Sequence, residues 1–125
     1  MSDIMAVLLD GVAQLEYNRD LPLPDHQALY LDKMDEKMAK GIMLGDDMVT
    51  SPDLNQRAQF VAGNLAHAIK IDDESTSAAL CSYLADRLPD LKQIKISNED
   101  GNLSIEMVFD ENYKKQVEVQ FTKLH

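Results

Sequence analysis

Cys81 is the only cysteine in the chain, so no intrachain disulfide can form. A lone thiol fits a reducing compartment. Glycine is scarce as well. Its five positions are 11, 41, 45, 63 and 101, and no two of them have the spacing of a phosphate-cradling loop before a helix. There is no Gly-x-Ser-x-Gly turn to present a nucleophile. The three histidines, His26, His67 and His125, are far apart, with no second ligand one helical turn away. No metal and no cofactor is expected. Long apolar runs are also missing. The longest early one, Met5 to Leu9, is too short for a membrane span or a signal core. The chain is therefore read as untargeted and cytoplasmic, with no membrane partner.

Basic residues are outnumbered. Twelve lysines and arginines face 22 acids, for a formal charge of −10. Such a field repels nucleic acid and anionic membranes. Lys114-Lys115 is the only adjacent basic pair, and aromatics are few, so no nucleic-acid reading surface is expected. The acidity is spread over both halves rather than gathered in a tail.

What is present is an ordinary core. The chain has 125 residues and is 45% hydrophobic, which suits one domain with no need of a staple. Spacing predicts a helical part, 1–90, and a strand part, 91–125. In Ser2 to Tyr17, the residues Ile4, Val7, Leu8, Gly11, Val12 and Leu15 share a face at helical period. The breaker Asn18 to Pro24 ends that helix. A second helix follows from Asp25 to Lys40, with Leu31, Met34 and Met38 as its stripe and Gly41 after its end. The two form a predicted antiparallel hairpin. Ile42 to Thr50 connects them to a third helix, with Ser51 as N-cap and Pro52 as first helical residue, running to Lys70. Asp72 or Asp73 caps a fourth helix carrying Leu80, Cys81, Leu84 and Leu88, and Pro89 stops it.

From Gln93 onward the period changes to two. Ile94 and Ile96 alternate with polar residues. So do Leu103, Ile105, Met107 and Phe109, and then Val117, Val119 and Phe121. Asp100-Gly101 is a strong two-residue hairpin signal. A turn there sets Ile96 opposite Ile105, Ile94 opposite Met107 and Lys95 opposite Glu106. The expected fold class is α+β: four helices on one face of a C-terminal three-stranded antiparallel meander.

Candidate chemistry is thin. Asp46-Asp47 and Asp72-Asp73-Glu74 lack calcium-loop spacing, and acids at helix starts are ordinary capping. Cys81 lies on an apolar stripe, where thiols are inert. No catalytic residue is assigned. On the third helix Phe60, Gly63 and His67 lie away from the Leu54–Ile69 stripe. That second apolar face is either sandwiched or part of an interface. Met34, Met38, Met43 and Met48 are either gap-fillers or an adaptable partner surface. The reading is a non-enzymatic protein-interaction or regulatory module, expected to form a homodimer or bind a protein partner through Phe60, Gly63 and His67. Two alternatives stand. One is a small enzyme or ligand-binding protein, its pocket between helical hairpin and sheet, using His26, His67 or Tyr30. The other is an acidic nucleic-acid mimic, which even charge spread disfavours.

Overall fold

Asp10 and Gly11 both take positive φ, at 50° and 85°. That pair of left-handed residues makes a tight hairpin turn that matches the twist of the strands it joins. The N-terminal segment is therefore extended. A computed structural model describes residues 4–114. In it, β1 (Ile4–Leu9) and β2 (Val12–Asn18) pair antiparallel, with a bulge between Val7 and Leu8. The predicted first helix and its αα-hairpin do not exist.

Three helices follow among the described residues. They are α1 (Asp25–Met38), α2 (Leu54–Lys70) and α3 (Glu74–Arg87). Between α1 and α2 the expected connector is itself a small hairpin, β3 (Ile42–Leu44) with β4 (Asp47–Val49). The chain then closes with β5 (Gln93–Glu99) and β6 (Asn102–Val108). The main sheet has four strands in the order β2-β1-β5-β6. Its two central strands, β1 and β5, are parallel, and each carries an antiparallel hairpin partner outward. The expectation of four helices on a three-stranded meander is thus overturned: β5 is a central strand, with the N-terminal hairpin beside it. The third expected strand, Val117 to Phe121, lies outside the described residues.

The C-terminal hairpin follows the predicted register. Asp100 and Gly101 turn with φ of 53° and 86°. Ile96 opposes Ile105, Ile94 opposes Met107, and Lys95 opposes Glu106. Because β1 and β5 run parallel, the two Asp-Gly turns lie at the same end of the sheet. Asp10 joins them: its carboxylate accepts from the Asn98 amide at 3.0 Å, and its own amide donates to the Ile96 carbonyl at 2.8 Å.

One face of the sheet carries the core. Met5, Val7, Ile94 and Ile96 are fully buried there, beneath Ala58, Val61 and Leu65 of α2 and Leu80, Tyr83 and Leu84 of α3. Two registers place side chains on that face. Val7 sits beside both Leu15 and Ile94, and Met5 beside Tyr17. Helix α3 lies over the β2 side and α2 over the β6 side. On the outer face, Gln93 is also buried. Its amide donates to the Glu111 carbonyl at 2.9 Å, so the chain after β6 doubles back across that face. It is pinned there by Lys95 with Glu111 and by the Tyr113 hydroxyl, which donates to Glu16.

Helix α2 begins at Leu54, two residues past the predicted start. Ser51 has φ of 59°, whereas an N-cap needs extended backbone. Asp53 is the N-cap. Its carboxylate accepts from the Gln56 amide at 2.8 Å, and Gln56 returns a carbonyl to the Asp53 amide at 2.9 Å. This reciprocal pair satisfies two orphan donors at once. Asp73 caps α3 with a single bond, accepting from the Thr76 amide.

Candidate functional site

Two features stand out from the packing. The first is a polar knot that joins the three helices. Asp35 of α1 accepts from Arg57 of α2 at 3.0 Å, from Arg87 of α3 at 2.9 Å, and from the Tyr83 hydroxyl. Arg87 also reaches Asp32 at 2.8 Å and lies over the Tyr83 ring, 5.6 Å from its centre. Burial alone would raise the Asp35 pKa, but the bonds from Tyr83, Arg87 and Arg57 outweigh it and hold the carboxyl below its usual value. The Tyr83 hydroxyl is pushed up to about 12, first by burial and then by its bond to the Asp35 carboxylate. Arg57, Tyr83 and Arg87 all donate to the one Asp35 carboxylate, which marks the knot as a structural fastening. Arg19 acts likewise. Its guanidinium donates to the carbonyls of Ala85, Leu88 and Leu91, closing the C-terminal end of α3, where carbonyls lack helical partners.

The second feature is a groove of about 970 Å³ between α1, the start of β3, α2 and α3. Buried Met38, Ile42, Val61 and Leu80 form its floor, with half-buried Met34 and Phe60 beside them. Tyr30 and Asn64 flank it, and exposed Lys33, Glu36, Lys37 and Lys40 form its rim. The fold brings these together by local means. Met34 and Met38 are one turn apart on α1, and Phe60 and Val61 face them from α2. Gly41, with φ of 128°, turns the chain from α1 into β3 so that Ile42 points inward. The Met48 sulfur sits 3.4 Å from where a Gly41 side chain would begin. Two of the four clustered methionines thus line the groove, and a third lies beside Gly41.

The three residues expected at an interface are placed differently from one another. Phe60 lines the groove and packs against the core. Gly63 is half-buried, and a side chain there would meet nothing within 4 Å. Close approach of another backbone within the chain therefore does not explain this glycine. His67 is exposed and does not line the groove. The expected stripe also shifts: Leu54 is 42% exposed, while Ala62 and Ala66 are buried, so the covered face of α2 is broader than Leu54–Ile69 spacing implies. Of the polar groups considered for a pocket, Tyr30 lines the groove, and His26 and His67 stand exposed outside it. The αα-hairpin expected to wall such a pocket is absent, and the groove is lined instead from α1, α2, α3 and the start of β3.

Cys81 is buried, 3% exposed, and burial raises its thiol to about 12 despite nearby Arg19. Among the described residues no three His, Cys, Asp or Glu side chains gather as metal ligands would, and no helix is long and apolar enough to cross a membrane. A second, more polar cavity of about 550 Å³ lies on the outer sheet face, around Lys95, Glu106 and Tyr113. Comparison with protein-family models, curated proteins and solved structures gave no match. The sequence and geometry define a small α+β protein.

Proposed function

We propose that this protein is a non-enzymatic protein-interaction module whose contact surface is the groove between α1 and α2. The observation that carries the reading is the groove itself: a concave apolar floor of Phe60, Met34, Met38 and Ile42, open to solvent and edged by charge. Interfaces bury aromatic anchors and methionines at their centre and keep a polar rim. Unbranched thioethers suit a surface that adapts to its partner. Tyr30 in the groove lining is itself exposed, as are Met43 and Met48 of the β3–β4 hairpin. A different protein is a better occupant than a second copy, because two chains of −10 repel each other.

The test is a titration of the isotope-labelled protein with short amphipathic helical peptides, followed by backbone amide shifts. Docking in the groove moves the resonances of Phe60, Met38 and Ile42 together, and Phe60→Glu abolishes the response while the protein stays folded. Shifts confined to the outer sheet face, or no shift with any peptide, would remove the groove as the contact surface.

A further inference from the structure

Resting on that reading, we infer that the groove takes an amphipathic helix flanked by carboxylates. All three arginines are engaged within the chain: Arg19 on carbonyls, Arg57 and Arg87 on Asp35. Lys95 is paired with Glu111. Lys33, Lys37 and Lys40 form no ion pair among the described residues, and all three stand on the groove rim with only Glu36 of opposite sign. A protein of −10 thus places three uncommitted positive charges on the edge of its apolar groove.

Their spacing adds the second part. Lys33 and Lys37 are four residues apart on α1, and so are Met34 and Met38. Four residues of helix advance about 6 Å. An ammonium row and a thioether row therefore run side by side along α1 with the same repeat. A ligand helix lying along α1 has that repeat in its own i, i+4 positions. Apolar residues on one of its stripes meet Met34, Met38 and Phe60, and Glu or Asp on the adjoining stripe meets Lys33 and Lys37. A helix suits this site better than an extended segment. It satisfies its own backbone hydrogen bonds, and most of the lining here comes from the sides of α1 and α2. The rim selects the partner by sign, since charges at an interface edge set specificity more than affinity.

The experiment uses the full chain and three labelled peptides of equal helicity, followed by fluorescence anisotropy. All share one apolar stripe. The flanking positions are Glu in the first, Gln in the second and Lys in the third. The acidic peptide should bind at least about tenfold tighter than the basic one at low salt. Lys33→Glu/Lys37→Glu should reverse that order, and Lys33→Gln/Lys37→Gln should level it. Both pairs are exposed helix positions, so circular dichroism should show native folding. Equal binding of all three peptides would overturn the acidic preference and leave the interaction reading standing. Binding of none would overturn both. Displacement of the acidic peptide by a medium-chain fatty acid at lower concentration than the unlabelled peptide would assign the groove to a small amphiphile instead, and would also overturn the inference.

Discussion

Arg57 Nη1 lies 3.0 Å from Asp35 Oδ1, and through that pair the first turn of α2 is fastened to the last turn of α1. The same carboxylate holds Arg87 and Tyr83 of α3. Helix α1 otherwise enters the core chiefly through Leu31 and Met38, so the knot sets where α1 lies and hence how wide the groove is.

Asp35→Asn should therefore lower stability at neutral pH by about 2 kcal/mol, the scale of hydrogen bonds to a charged group. The pH dependence has a definite sign. Asp35 has a lowered pKa when folded, so its contribution is present above the ordinary carboxyl value of about 3.9. It is lost as pH falls through the lower folded value. Urea unfolding of wild type should weaken on that acid side, and Asp35→Asn should show a flatter acid limb. An identical acid limb in the two proteins would mean the carboxylate is not held by the knot.

At the alkaline end, Tyr83 and Cys81 are both raised to about 12. Groups raised on folding stabilise fully below their unfolded values, about 10 and 8.5, and cease to as pH climbs through the folded ones. Stability should decline above pH ~9. Cys81 should resist a thiol reagent at pH 8 in native buffer and react at once in denaturant. Fast native labelling would show that the α3 core opens far more readily than its packing implies.

Both Asp-Gly turns demand left-handed backbone, which a β-branched residue resists. Gly11→Val and Gly101→Val should each destabilise by ~1–2 kcal/mol, read as a lower melting temperature. The two turns are joined through Asp10 and Asn98, so the double variant should depart from additivity. A melting temperature unchanged by Gly11→Val would argue against the N-terminal hairpin turn.

Gly63 sits mid-helix with open space where a side chain would go. Gly63→Ala should raise stability by ~0.5–1 kcal/mol, through helix propensity alone. If the partner helix also crosses α2 at this point, the same variant should bind it less well while melting higher. A fall in stability would mean that Gly63 packs more closely than its surroundings show.

The C-terminal hairpin was legible because Asp100-Gly101 and strict alternation agree with each other. The N-terminal hairpin carries the same Asp-Gly signal and was masked. Strand β1 is buried on both faces, from Met5 through Leu8, so it shows no alternation, and its apolar residues fit a helical wheel equally well. Gly11 then passed for a small residue on a helix face. In β2 the signal was present, since Leu15 and Tyr17 face in while Gln14 and Glu16 face out. Phe60 stood out from spacing because it departs from the core stripe. The groove around it did not, because its walls come from elements separate in sequence, and no local pattern foretells a contact between Asp35 and Arg57. The lysine row takes its meaning from Met34 and Met38, which line the groove beside it although Met38 also belongs to the core.

The parallel pairing of β1 with β5 has a consequence in time. Ala6 meets Gln93, with nearly all of the described chain between them. During synthesis the first strand emerges early and its sheet neighbour late. In that interval β1 has β2 as its only partner in the sheet, and a lone hairpin is marginal in water. Closure of the sheet must await the last third of the chain and must overcome a long loop's entropy. Folding should therefore be slow for a chain of this size, and its first hairpin should be the segment most in need of shelter on the ribosome.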